Sequence, residues 1–399
     1  MTHPDKAQGN AAEVFAAFLK LGLTSFGGPI AHLGYFRDEL VTRRGWLSDA
    51  AYADLVALCQ FLPGPASSQV GFALGLMRAG WLGALAAFTA FTLPSALILV
   101  VFAMTATAIT GPIGAGALDG LKIVAVAIIA QAVWGMSRTL CPDRARAGIA
   151  VAAVAILAFL PGAIGMVGAI VIGALSGLIL GRGTRSDARH PVSMPVTRWQ
   201  AISCLAAFVA LLILLPIVAG GSQTLAVIDG FYRSGALVFG GGHVVLPLLE
   251  AETVAPGWVS PETFLAGYGA AQAVPGPLFT FAAYLGAVLG PEPNGLPGAA
   301  LALAAVFLPG FLILAGLLPF WDRLRAMSAA QSLMQGANAA VVGILAAALY
   351  SPVFTSAVID MRDFTLAVLT FVLLVMWKMP PWIVVGFAAL AGAGLALVP

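Results

Sequence analysis

Two short motifs interrupt apolar runs near the start of the chain, Phe26-Gly27-Gly28-Pro29 and Gln60-Phe61-Leu62-Pro63-Gly64-Pro65. Proline removes backbone donors and breaks helical hydrogen bonding. In lipid the freed polar groups survive only where protein or a water-filled cavity surrounds them. A helix restarting after Pro65 carries Ala66, Ser67, Ser68 and Gln69 in its first turn, and Pro29 is suited to the first turn of another. Unpaired N–H groups at a helix start, with roughly +0.5 of a charge from the dipole, favour anions. The chemistry these residues suggest is therefore recognition of a small anion, with the Ser67 and Ser68 hydroxyls as added donors. A single such break is also explained by a proline kink or a glycine packing contact.

Both motifs occur twice. Phe239-Gly240-Gly241-Gly242, followed by His243, repeats the first at an offset of 239 minus 26, or 213. Gln272 and Pro275-Gly276-Pro277 repeat Gln60 and Pro63-Gly64-Pro65 at 276 minus 64, or 212. Gly45-Trp46-Leu47-Ser48 matches Gly257-Trp258-Val259-Ser260 between them, and Thr280 supplies a hydroxyl after the second proline motif. An ordered series of matches marks an internal repeat. Lys20 and Arg233 correspond at the same offset of 213. A basic side chain at the centre of a membrane helix costs about 2.5–3.5 kcal/mol, so the pair reads as two cations facing a dianion. The competing reading is snorkelling, with an Asp229 to Arg233 pair one helical turn apart. Asp54, Asp119, Glu39 and Glu252 are the candidate proton carriers, and each also fits a structural or interfacial charge. Lys122, three residues after Asp119, reads as its local partner.

The elements that must position these residues follow from composition. Of 399 residues, 60% are hydrophobic and 9% charged, against roughly 25% charged in soluble domains. The expected fold is an all-α polytopic membrane protein. It has two inverted-topology repeats with broken or re-entrant helices at the Gly/Pro motifs, joined by a basic linker and one extra transmembrane helix. The expected units are a cytoplasmic tail (1–12), a first repeat (13–181), the linker (182–198), a connecting helix (199–219) and an inverted second repeat (226–398). Lys and Arg favour the cytoplasmic side. Arg78, Arg138, Arg144, Arg146 and the linker arginines fall there if the N-terminus is cytoplasmic, which leaves the C-terminus periplasmic. Arg37, Arg43 and Arg44 obey the rule only if the motif segments are hairpins that enter and leave on one side. Residues 51–62 and 66–77 form arms of about 18 Å at 1.5 Å per residue. The count that results is nine complete spans and four hairpins; the alternative is thirteen spans with broken helices.

No enzyme chemistry is expected. The histidines are scattered, and neither His-x-x-x-His nor Gly-x-Ser-x-Gly occurs. Cys59, Cys141 and Cys204 are too far apart for a metal site, and no cofactor or nucleic acid is implied. The lipid bilayer is the expected surrounding; a homo-oligomer is compatible with the sequence but not indicated by it.

On the two glycine motifs, the two Gln-to-Pro-Gly-Pro motifs and their coverage of both halves, the chain resembles the chromate ion transporter family in its long, two-repeat form. The resemblance implies a bacterial inner-membrane protein that exports chromate, with coupling to the proton motive force as an option. The second glycine motif lacks the proline of the first. Chromate and sulfate share tetrahedral shape and charge, so sulfate is an expected competitor. An importer of sulfate or another oxyanion is the alternative, ahead of a membrane-embedded enzyme or sensor.

Overall fold

The computed structural model describes residues 9–106, 111–181 and 196–397; most of the basic linker lies outside them. The described residues form helices and no strand. Asn10 caps α1 (Ala11–Thr24) by accepting from the Glu13 N–H at 2.8 Å. Gly27 and Gly28, at φ of 98° and 79°, then reverse the chain through backbone that side chains other than glycine resist. α2 (Gly28–Phe36) returns and runs on as a π-helical turn, Arg37–Arg43. Ser48 caps α3 (Asp49–Phe61), which stops where Leu62 turns extended before Pro63-Gly64-Pro65. α4 (Ala66–Ala106) is two helices in one, broken at Ala79 and Gly80.

The ends of these pieces meet. Arg78 lies 3.1 Å from Glu13, at the start of α1, and 5.5 Å from the ring of Trp46, just beyond the π turn. The α1–α2 pair and the pair formed by α3 with residues 66–78 are therefore hairpins opening on one side, with the Gly/Pro motifs at their tips. This is the arrangement the charges of Arg37, Arg43 and Arg44 require. After residues 81–106 come α5 (Pro112–Leu140), α6 (Arg144–Phe159) and α7 (Ala163–Leu180). α8 (Arg198–Val218) leads to the second repeat.

There α9 (Gln223–Ala236) and α10 (Val245–Thr253) flank Gly240 and Gly241, again at positive φ. α11 (Pro261–Ala271) and α12 (Phe281–Val288) flank Pro275-Gly276-Pro277, and the Gly290 N–H to Trp258 carbonyl bond of 2.9 Å closes their open end. α13 (Gly295–Leu317), the short α14 (Trp321–Ala326), α15 (Ser328–Ala348), α16 (Thr355–Ala357), α17 (Met361–Val375) and α18 (Pro381–Leu395) complete the chain.

The second half of α4 is a ruler for both repeats. The Gly276 tip sits at Phe91 and Ser95, and from that level the α12 side chain Tyr284 stacks on Phe102, toward the Ala106 end. In the first repeat, Gly22 of α1 lies against Ala90 and Phe91, and the hairpins descend the other way, toward Arg78. The tips interlock reciprocally: the Gly64 N–H donates to the Val238 carbonyl at 2.8 Å, and the Gly276 N–H donates to the Ser25 carbonyl at 2.9 Å. Residues 64 and 276, like 25 and 238, are repeat counterparts, so the interface has the self-complementary form of a twofold contact.

Among the described residues six helices are long and apolar enough to cross a bilayer, and the protein is a multi-pass membrane protein. Of the nine complete spans expected, α6, α17 and α18 have 16, 15 and 15 residues. At 1.5 Å per residue they fall short of a hydrocarbon core of about 30 Å.

Candidate functional site

A cavity of about 510 Å³ opens where the two repeats meet. The first repeat lines it with Gly27, Gly28 and Pro29, at the start of α2, and with Gln131 and Trp134 of α5. The second repeat contributes His243, Gln272, Gly276 and Lys378. Pro29 and Gly242 approach so closely that a Cβ on the glycine would meet the proline ring at 3.3 Å, so the two glycine motifs touch.

The lining is rich in donors. Gly27 is the N-cap of α2 and offers no capping side chain, so no side-chain cap hydrogen bond closes this helix start among the described residues. Gln272 ends α11, and its Nε2 is buried with no hydrogen-bond partner among the described residues. His243 is oriented through Nδ1, which lies 2.8 Å from the Tyr268 hydroxyl. Gln131 is held by donation to the Leu374 carbonyl at 3.4 Å. A buried donor without an acceptor is costly unless a ligand supplies one, and a donor-lined wall suits an anion.

Lys378 is the one lysine or arginine among the described residues lining this cavity. It stands in the loop between α17 and α18. Close approach of Gly116 to Gly392 and of Gly120 to Ala388 seats α18 on α5 and brings that loop beside Gln131 and Trp134. Sequence reasoning missed Lys378, Gln131 and Trp134 because they lie outside the repeated motifs.

Other residues singled out from the sequence fall elsewhere. Gln60 faces a separate cleft of about 290 Å³ with Asp54, Phe61, Trp321 and Asn338. Ser67 and Ser68 are buried beneath the tip; Ser67 Oγ lies 3.4 Å from His32 Nδ1, and Ser68 Oγ has no partner among the described residues. The carbonyl of Pro63 accepts from Gln69 at 3.0 Å, and Pro65 packs on Gly310. Thr280 caps its own turn by donating to the Pro277 carbonyl at 2.7 Å. Phe239 and Pro275 flank the second-repeat tips without lining the cavity, and Gly240 abuts Leu140. Phe26 leans on Trp382, their rings 5.9 Å apart.

The two repeat-equivalent cations are both engaged. Lys20 Nζ lies 2.8 Å from Glu39, and Arg233 Nη2 lies 2.9 Å from Glu252. Both pairs are 19 residues apart and tie the arms of equivalent hairpins. Glu39 also holds Arg44 at 2.8 Å and Arg43 at 3.0 Å, while Arg233 reaches Asp229 at 2.8 Å. Asp119 pairs with Lys122. Burial pushes the Glu39 carboxyl up, but hydrogen bonds from Lys20, Arg44 and Arg43 outweigh it and hold the group at about 2. The stabilisation from this depressed group is complete above its ordinary value of 4.5 and is lost progressively as pH falls from there through about 2. Glu39 therefore stays ionised throughout the neutral range.

Comparison with known proteins agrees with this architecture. The profile of the chromate transporter family matches residues 12–180 and 225–393, whose starts are again 213 apart. A chromate transport protein of Pseudomonas aeruginosa is 32% identical over 343 residues, covering 84% of this chain and 79% of that one. One from Cupriavidus metallidurans is 29% identical over 94% of this chain and 90% of its own. A probable chromate transport protein of Synechococcus elongatus is 28% identical, over 94% and 93%. No solved structure matches. With both repeats matched end to end, the chain belongs to the chromate transporter family.

Proposed function

We propose that the protein exports chromate from the cytoplasm, the dianion passing through the cavity between the repeats. The observation that carries this reading is that motifs from both repeats line one donor-rich cavity. Gly27, Gly28, Gln272 and His243 supply hydrogen bonds to the oxyanion, and Pro29 and Gly276 shape the tips around it. Lys20 and Arg233 act as clamps that hold the hairpins shut, since each is committed to a carboxylate. The hairpins of the two repeats run in opposite directions along α4, which supports an inverted repeat of the kind secondary transporters use around a central site. The protein sits in the bacterial inner membrane with its N-terminus cytoplasmic and its C-terminus periplasmic, as the arginine distribution favours.

Export needs no ion coupling. Moving one charge through 100 mV is worth about 2.3 kcal/mol, so a dianion leaving an inside-negative cell gains about 4.6 kcal/mol. Glu39, held ionised by three cations, is a poor proton carrier. The cavity presents donors to an ion that only accepts, so sulfate competes with chromate. In proteoliposomes loaded with labelled chromate, an inside-negative voltage should speed efflux, and a pH gradient alone should have little effect. Sulfate should slow the flux. Voltage-independent flux would instead indicate electroneutral coupling, and accumulation of chromate against an inside-negative voltage a coupled importer.

A further inference from the structure

We infer that Lys378 is the charge-recognising residue of the transport site, selecting divalent oxyanions over monovalent ones. This rests on the transport reading above and adds a residue to it. Three observations carry it. A dianion needs compensating charge, yet Lys20 and Arg233 are bound to Glu39 and Glu252, and Lys122 is bound to Asp119. Lys378 makes no ion pair among the described residues, is exposed, and lines the cavity together with Gly27, Gly28, His243 and Gln272.

The second observation is conformational. Lys378 has φ of 52° and is the only described non-glycine residue at positive φ. Such backbone disfavours a lysine and suits glycine or asparagine. A strained residue beside a cavity is a common mark of function, and here the side chain is the feature that glycine would lack. The third is size. At about 30 Å³ per water, a cavity of about 510 Å³ leaves an oxyanion part of its hydration. Snug fit cannot then do the selecting, and charge must.

The backbone preference makes the test clean. Lys378→Gly removes the charge while relieving the strained φ, so its melting temperature should equal or exceed that of the unmodified protein. In proteoliposomes the half-saturating chromate concentration should rise at least tenfold, and sulfate should lose its advantage over nitrate as a competitor. Lys378→Arg should stay within about threefold of the unmodified protein. If Lys378→Gly does not fold, Lys378→Asn, also tolerant of positive φ, replaces it with the same readouts. Unchanged half-saturation in the neutral variant overturns the assignment. Absence of chromate flux in the unmodified protein sinks the transport reading itself, so the two failures are distinct.

Discussion

Gly64→Ala is expected to remove most of the folded, transport-competent protein. Gly64 has φ of 117°, a region that residues with a Cβ avoid. An added Cβ would also sit 3.0 Å from the Gly310 Cα, which is backbone and cannot rotate away. Strain of this kind costs about 1–3 kcal/mol, and overpacking a tight site costs about as much again. The same residue makes one of the two reciprocal bonds between repeats, from its N–H to the Val238 carbonyl. Stabilities of folded domains are only about 5–15 kcal/mol, so the loss should be visible as a lower melting temperature in detergent and a poor yield of folded protein. Gly276→Ala should be milder. Its φ of 102° is equally demanding, but the nearest obstacle, at 2.8 Å, is the Ser95 hydroxyl, which can turn. Equal and small effects at both sites would mean the tips are not the close-packed joint described.

Arg233→Ala should be far more damaging than Lys20→Ala, although the two are repeat counterparts. Removing Arg233 leaves Asp229 and Glu252, both largely buried, without the cation that separates them. Breaking a buried pair costs about 3–5 kcal/mol, and partial exposure of the arginine reduces that to about 2–4 kcal/mol here. Removing Lys20 leaves Glu39 with Arg43 and Arg44. Lys20 is also 49% exposed, so its loss should cost about 1 kcal/mol or less. Thermal unfolding of the two variants measures the difference. Flux in the surviving Lys20→Ala protein should keep its half-saturating chromate concentration. A large rise there would return Lys20 to the substrate path.

The repeat and the hairpins were legible in the sequence because glycine and proline act locally. Gly27, Gly28 and Gly64 announce backbone reversals through their own freedom, and the arginines at 37, 43 and 44 disagree with any arrangement in which these segments cross. Partners across a hairpin were less legible. Glu39 and Glu252 share the offset of Lys20 and Arg233, but their contact depends on how each tip turns, which the motif does not specify. The inward burial of Ser67 and Ser68 depends on α4 packing beneath its neighbours, again a tertiary matter. Lys378 escaped notice because it sits in a loop outside the repeated motifs, and only the seating of α18 on α5 brings it to the cavity. α6, α17 and α18 count among the nine expected spans because their apolar runs continue past the helix ends.

The central claim is that the oxyanion crosses between the repeats at this cavity, and filling the cavity tests it most directly. Gly135 of α5 lines it, and a Cβ there meets nothing within 4 Å, so Gly135→Trp can place an indole in the space without displacing backbone. Gly148 is equally unobstructed but faces the groove between α6 and α7, so Gly148→Trp is the matched control. Chromate efflux from proteoliposomes should fall at least tenfold with Gly135→Trp and stay near normal with Gly148→Trp, both proteins melting close to the parent. Full efflux through the Gly135→Trp protein would contradict the account and place the path elsewhere.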